Sequence, residues 1–214
     1  MSLQLDDHGR LRHLLTLEGL PREVLCGLLD RAQQLCGHAQ DPTRVRELLA
    51  GTALVNAGDG RSAHPTQGLL DMLTVRQAKG DDFPSLKVLV VGDIRVCGPR
   101  TLLPVDGTLQ GCTTFDDLDA ALDGVDVVMM LRLQRERMQE GLIRSIDDYH
   151  RDYGLTVERL RRAAPDAVVL HPGPMNRGVE IDDAVADGPQ SLVLRQVANG
   201  VAVRMAVLES LLRR

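Results

Sequence analysis

The chain of 214 residues is poor in aromatic side chains, which make up 2% of it, and it has no tryptophan. Its hydrophobic core must therefore be built mainly from aliphatic side chains. Hydrophobic residues account for 43% and charged residues for 26%, which suits a globular protein of one large or two small domains. The sequence also lacks an apolar run of about 18 residues, so no membrane-spanning helix is predicted.

The sequence gives no indication of paired or metal-binding cysteines or of a secretion signal. The four cysteines, Cys26, Cys36, Cys97 and Cys112, form no CxxC pair and show no metal-ligand spacing. This pattern favours reduced thiols in a cytosolic protein without a bound metal. Because the first residues contain no apolar signal core, we expect a cytoplasmic location.

Lysine is almost absent. Of the 25 lysine and arginine residues, only Lys79 and Lys87 are lysines. The net charge is −5, and no basic stripe is interleaved with aromatic residues, which argues against nucleic-acid binding. The remaining basic residues are arginines. Their planar guanidinium groups suit bidentate contacts with carboxylates and phosphates.

Helix-like and strand-like segments alternate along the chain, which predicts an α/β fold. Apolar spacing and breaker residues predict helices from Pro21 to about Gly37, from Pro65, over 115–122, 138–149 and 156–163, and from Gly188-Pro189 to the end. β-Branched runs predict buried strands over 86–91, 125–131 and 166–170. The composition of residues 81–84 predicts a linker there.

A glycine-rich loop over 56–67 leads into the second of these helices. Pro65 suits the first helical turn, so His64 and Gln67 should face one end of a packed helix. The positive end of the helix dipole disfavours an extra proton on His64. A neutral imidazole there can donate to a carbonyl oxygen, although a solvated histidine cap is the alternative for an isolated helix start.

Two strand ends carry further polar groups. Arg132 and Gln134 follow a buried strand and should project to the same side, giving donors for a small polar substrate. The segment 171–178 follows the next strand, and two prolines around Gly173 impose a defined backbone path that can direct carbonyl groups into a cleft. A solvated strand end and a rigid turn without a ligand are the respective alternatives.

Taken together, these segments resemble the aspartate carbamoyltransferase family. The resemblance is carried by Leu11-Arg12-His13-Leu14-Leu15, His64-Pro65-Thr66-Gln67, Leu131-Arg132-Leu133-Gln134, residues 171–180 and residues 199–206. It implies two domains with mainly parallel sheets flanked by helices. A truncated carbamoyl phosphate-binding domain would comprise residues 1–84 and the C-terminal helix 196–214, and an aspartate-binding domain residues 85–195. A homotrimer or higher assembly is also implied.

The same resemblance implies a reaction and its residues. Carbamoyl phosphate and L-aspartate would be the substrates, in de novo pyrimidine biosynthesis, and no cofactor would be needed. His64 would be the catalytic donor to the carbamoyl oxygen, and Gln67 would contact the carbamoyl amine. Gly173 and Pro174 would border the carbamoyl group, while Arg132 and Gln134 would hold the aspartate carboxylates.

The chain departs from the family where phosphate is bound. The family binds phosphate with a Ser-Thr-Arg-Thr-Arg segment, which is missing here. In the family it would lie between the stretches that correspond to residues 48–54 and 55–58, but in this chain these two stretches are joined directly. Each lost charge-assisted contact removes about 1.5–3 kcal/mol of binding free energy, so we expect carbamoyl transfer to be absent or very weak. A second gap follows Ile94. Because no crossover remains, residues 86–91 and 94–97 are predicted to form one long strand or a hairpin.

Two other functions stay open at this point. The chain is alternatively a catalytically inactive relative that serves as a binding or assembly subunit. An ornithine-type carbamoyltransferase is the further alternative, because those enzymes carry similar residues around the helix-start histidine.

Overall fold

A computed structural model describes residues 4–35, 55–57, 64–91, 97–98, 112–133 and 145–212. The helices are α1 (Arg22–Leu35), α2 (Pro65–Lys79), α3 (Leu118–Ala121), α4 (Ile146–Tyr153), α5 (Val157–Leu160), α6 (Asp183–Ala186) and α7 (Val193–Leu212). The strands are β1 (Val88–Val91), β2 (Val127–Met130) and β3 (Val168–Leu170). Within these ranges, no helix combines the length and the apolar character needed to cross a membrane.

The contacts divide the chain into two compact units, of which the first comprises Met1–Lys79 and Arg195–Arg214. Helix α1 begins directly after Pro21, whose carbonyl accepts from the amides of Val24 and Leu25 at 3.1 and 3.2 Å. The core of this unit is aliphatic, as predicted from the composition. Its buried members come from the N-terminal segment, α1, α2 and α7, and include Leu14, Leu29, Ala32, Leu69, Leu73, Ala202, Val203 and Ala206.

The second unit, Gly80–Leu194, contains a three-stranded parallel sheet in the order β1-β2-β3. Val88 pairs with Val127, and Val127 pairs with Val168. All four residues of β2 are buried, as expected for the central strand of a parallel sheet whose faces are covered. The predicted α/β fold is confirmed.

Side-chain caps begin two of the short helices in this unit. The Ser145 hydroxyl accepts from the Asp148 amide at 3.0 Å and starts α4. The Thr156 hydroxyl accepts from the Arg159 amide at 3.2 Å and starts α5. Such caps satisfy amides that have no partner inside the helix. The helix predicted over 156–163 is shorter in the structure, and α4 overlaps the helix predicted over 138–149 only from Ile146 and continues to Tyr153. Residues 138–144 lie outside the described residues.

The terminal helix begins later than predicted, at Val193 rather than at Gly188-Pro189. The Val169 amide donates to the Gln190 carbonyl at 2.9 Å, and the Leu192 amide donates to the Val169 carbonyl at 2.8 Å. The segment before α7 therefore runs alongside β3. Its backbone groups are committed to the sheet edge and cannot form the first helical turn.

The predicted long strand or hairpin at the second gap was wrong. Cys97 forms a parallel bridge with Val91, and its amide donates to the Val90 carbonyl at 3.1 Å. Cys97 also forms a parallel bridge with Phe115. The prediction assumed two full neighbouring strands, for which a parallel arrangement needs a crossover of a dozen or more residues. Cys97 instead pairs with Val91 in an isolated bridge, to which this length requirement does not apply. Ile94 lies outside the described residues.

Two neighbouring residues of β1 provide a test of this packing. Leu89 is 2% exposed and Val88 is 52% exposed. We expect Leu89→Ala to lower the free energy of unfolding by about 2–5 kcal/mol, because it removes buried methyl groups and leaves a cavity. Val88→Ala, the matched control, should change it by less than about 1 kcal/mol. Urea unfolding measures both, and equal losses would contradict the observed orientation of β1.

Candidate active site

The start of α2 presents the first predicted site residues. His64 immediately precedes the helix, and its carbonyl accepts from the amides of Gln67 and Gly68 at 3.0 and 3.1 Å. The predicted helix start at Pro65 is thereby confirmed. His64 and Gln67 are three positions apart, a spacing that puts side chains on the same side of a helical turn.

His64 as a residue is accessible to solvent, but its ring is partly covered, and the ring Nδ1 lies 3.4 Å from the hydroxyl oxygen of the buried Thr66. Partial burial of the ring and, secondarily, the positive charge of Arg204 lower the pKa of His64 below 6.5. The direction agrees with the prediction of a neutral ring. If Thr66 donates to Nδ1, the ring proton is on Nε2, which can then donate to a carbonyl oxygen.

Gln67 is held by a carboxylate one helical turn later. Its Nε2 donates to Oδ1 of Asp71 at 2.8 Å, and Gln196 of α7 donates to the same oxygen at 2.6 Å. Burial raises the pKa of Asp71 to about 6, an effect that the hydrogen bonds from Gln196 and Gln67 partly offset. The Gln67 amide is therefore oriented by the protein itself.

The second group of predicted residues lies in the sheet-containing unit, at the carboxyl ends of β2 and β3. Arg132 comes two residues after β2 and is exposed, and Gly173 comes three residues after β3. Adjacent parallel strands end at the same edge of a sheet, which is where ligands bind in open α/β folds. Gln134 lies outside the described residues.

The loop after β3 has a constrained path. Gly173 has a φ angle of +65°, a region that residues with a side chain seldom adopt, and its peptide bond to Pro174 is cis. Gly173 is half-buried and Pro174 is exposed. The Gly173 amide donates to Nδ1 of His171 at 2.9 Å, so the bend is tied to a buried imidazole.

A buried carboxylate joins this loop to the end of β2. Glu180 is fully buried, and its carboxylate accepts from Nε2 of His171 at 3.2 Å and from the Asn176 amide at 2.5 Å. It also accepts a long contact from the Leu133 amide at 3.5 Å, and Asn176 Nδ2 donates to the Leu133 carbonyl at 3.0 Å. The residue after Arg132 is therefore fixed to the loop that contains Gly173.

Sequence reasoning gave no role to Asp71, Glu180 or Gln196, although each contacts a predicted segment. A weak signal existed for Asp71, an acidic residue within the apolar pattern of α2 and four positions after Gln67. Their partners are otherwise set by tertiary contacts. Among the described residues, no cluster of three or more His, Cys, Asp or Glu side chains is arranged to hold a metal ion.

Comparison with known proteins identifies the family. A sequence model for the aspartate/ornithine carbamoyltransferase Asp/Orn binding domain matches residues 106–211. The aspartate carbamoyltransferase catalytic subunit of Stenotrophomonas maltophilia is 50% identical over 311 aligned residues, covering 98% of this chain and 98% of that protein. The chain belongs to the aspartate carbamoyltransferase family. The catalytic subunit of Xanthomonas euvesicatoria is 49% identical over 312 residues and 99% of both proteins.

Solved structures of carbamoyltransferases have the same fold. Ornithine carbamoyltransferase from Thermus thermophilus superimposes with a TM-score of 0.76 at 21% identity, over 94% of this chain and 99% of that chain. Aspartate transcarbamoylase from Trypanosoma cruzi, in complex with N-(phosphonacetyl)-L-aspartic acid, gives a TM-score of 0.64 at 26% identity. That match covers 86% of this chain and 70% of that chain.

The aspartate carbamoyltransferase relatives are longer than this chain. The alignment with the Stenotrophomonas protein has 311 positions against 214 residues here, so about a hundred of its residues have no counterpart in this chain. Because the aligned region takes in 98% of both proteins, the unmatched residues are internal. This agrees with the absence of the family's phosphate-binding segment from the sequence.

The buried carboxylate can be tested by Glu180→Gln. The Glu180 carboxylate accepts hydrogen bonds from three donors. The NH₂ group of a glutamine at this position cannot accept, so it would face at least one of these donors with a donor of its own. We expect the free energy of unfolding to fall by about 1–3 kcal/mol. Glu158→Gln, an exposed control in the same unit, should change it by less than about 0.5 kcal/mol. Urea unfolding followed by circular dichroism measures both, and equal effects would argue against the Glu180 contacts.

The effect of Arg204 on His64 predicts a titration shift. We expect the His64 ring to titrate below pH 6.5 in NMR spectra, and Arg204→Gln to raise the midpoint because a nearby positive charge is removed. Arg195→Gln, an exposed change on the same helix, serves as the control and should leave it unchanged. Since the unfolded chain binds this proton more tightly, His64 should destabilise the fold as pH falls below 6.5. A midpoint above 6.5 in the wild type would refute this.

Proposed function

We propose that this chain binds the substrates of aspartate carbamoyltransferase, and that its reaction type is the transfer of a carbamoyl group from carbamoyl phosphate to L-aspartate in pyrimidine biosynthesis. The observation that carries the proposal is family membership together with His64 and Gln67 at the start of α2. We also propose that transfer is slow or absent, because the phosphate-binding segment is missing.

The carbamoyl contacts belong to the first unit. Carbamoyl transfer develops negative charge on the carbonyl oxygen, which requires a positioned donor. A neutral His64 meets this requirement, and the lowered pKa supports it. Gln67 would accept from the carbamoyl amine. Residues 1–84 with 196–214 are accordingly proposed as the carbamoyl phosphate-binding domain.

The aspartate contacts belong to the second unit. Arg132 is exposed at the carboxyl end of β2, where its guanidinium can form charge-assisted hydrogen bonds with a carboxylate. Gln134 is proposed as its neighbour in this role. Gly173 and Pro174, on the loop tied to Leu133 through Glu180 and Asn176, are proposed to border the carbamoyl group. Residues 85–195 would form the aspartate-binding domain.

The missing segment favours one alternative, a binding or assembly subunit without catalysis. The aspartate carbamoyltransferase relatives at about 50% identity favour aspartate over ornithine as the amine. The cysteine pattern supports a cytoplasmic location. A homotrimer or higher assembly remains part of the proposal and is measured by sedimentation velocity.

The decisive experiment titrates the purified chain with N-(phosphonacetyl)-L-aspartate by calorimetry. We expect measurable but weak binding, and a further loss of about tenfold to a hundredfold in Arg132→Gln, because a charge-assisted contact is removed. Arg161→Gln, another exposed arginine of the same unit, should bind as the wild type does. No binding by the wild type, or equal binding by Arg132→Gln, would overturn the proposal.

A parallel assay separates catalysis from binding. Carbamoyl aspartate formation should be undetectable at ordinary substrate concentrations, and measurable formation would overturn the claim that the missing segment prevents transfer. Replacement of aspartate by ornithine should give no binding or product. A preference for ornithine would instead assign the chain to the ornithine-type enzymes.

A further inference from the structure

The carboxylate of Asp71 lies between two helices of the first unit and receives two amide donors. Gln67 Nε2 reaches its Oδ1 from one turn earlier on α2, and Gln196 Nε2 reaches the same atom from α7. Gln196 is only 1% exposed, so its side chain is fixed by its surroundings. Both donors are neutral, and the same carboxylate oxygen is the common acceptor.

This arrangement determines which way the Gln67 amide faces. An ionised carboxylate accepts hydrogen bonds and cannot donate them, so the NH₂ arm of Gln67 must face Asp71. The carbonyl oxygen is on the other arm of the amide. It has no hydrogen-bond partner among the described residues, and the Gln67 side chain is partly exposed.

Gln67 therefore offers an acceptor on the same helical turn where His64 offers a donor. A carbamoyl group has a carbonyl oxygen that accepts and an amine that donates, which matches this pair. An acetyl group has the same carbonyl oxygen but a methyl group in place of the amine. The orientation of Gln67 is consequently what can distinguish the two groups.

We propose that Asp71, supported by Gln196, is a positioning residue that holds the Gln67 carbonyl oxygen toward the substrate and thereby selects carbamoyl phosphate over acetyl phosphate. The selectivity rests on the proposed function, whereas the orientation of Gln67 does not. An alternative orientation of Gln67 would place its NH₂ against the carbamoyl amine, donor against donor. In a variant with a neutral side chain at position 71, such as Asp71→Asn, that alternative orientation of Gln67 is permitted.

The charge of Asp71 is consistent with this role near neutral pH. Burial raises its pKa to about 6, which still leaves the group ionised at pH 7.5. Experiments at pH 7.5 therefore examine the carboxylate form.

The test compares dissociation constants for carbamoyl phosphate and acetyl phosphate, measured by NMR titration at pH 7.5. The wild type should prefer carbamoyl phosphate by about threefold to tenfold, the worth of one net hydrogen bond. In Asp71→Asn the preference should fall to about one. Binding of acetyl phosphate should stay within about twofold of the wild type, since a purely structural defect would weaken both ligands.

Asp30→Asn is the matched control. Asp30 forms an ion pair with Arg76 of α2 at 2.7 Å, so this variant removes a carboxylate that contacts the same helix but leaves Gln67 untouched. Its preference should equal that of the wild type. An unchanged preference in Asp71→Asn would overturn the positioning role alone, whereas failure of the wild type to bind either phosphate would overturn the proposed function and the selectivity with it.

A second measurement needs neither a ligand nor a stable Asp71 variant. The side-chain amide protons of Gln67, assigned by their loss in Gln67→Met, should exchange with solvent more slowly than those of the exposed Gln34. Slow exchange is expected because Asp71 accepts from this amide at 2.8 Å. Exchange as fast as at Gln34 would overturn the fixed orientation of Gln67.

Discussion

The parallel pairing of β2 with β3 is the constraint on which the sheet-containing unit depends. It brings the segments after Met130 and Leu170 to one edge of the sheet. Glu180 then holds them together, because its buried carboxylate accepts from His171 and from the Asn176 amide. A buried carboxylate is tolerated only when its acceptor sites are satisfied. The same contacts that stabilise Glu180 therefore define the positions of Leu133 and Gly173.

The first unit uses a half-buried carboxylate in a similar way. Asp71 receives amide donors from α2 and α7, and it does so without a cationic partner in those contacts. These contacts orient the side-chain amide of Gln67 but add little to the free energy of unfolding. Hydrogen bonds that replace contacts with water contribute little net free energy. In both units, a group proposed to contact substrate belongs to a segment that is held by hydrogen bonds to an acidic side chain.

The internal gap removes residues on which we propose that turnover, rather than substrate recognition, depends. The groups that we propose to bind a carbamoyl moiety and an aspartate carboxylate are present, whereas the family's phosphate-binding segment has no counterpart. Transfer requires both orientation of the reacting groups and neutralisation of the leaving phosphate. Loss of phosphate neutralisation lowers the rate even where the reacting groups are oriented. It also weakens the binding of any ligand that carries a phosphate or phosphonate.

Local sequence determined the features that depend on a few consecutive residues. Pro65 and the apolar spacing after it predicted a helix start beside His64, and β-branched runs predicted the three strands of the described sheet. Tertiary structure decided the partners of the buried charges, since Gln196 is 125 residues from Asp71 and Leu133 is 47 residues from Glu180. It also decided that the segment before α7 follows β3 and that Cys97 bridges in parallel. Backbone preferences act over one or two turns, whereas the acceptor that a buried donor finds depends on how distant segments pack.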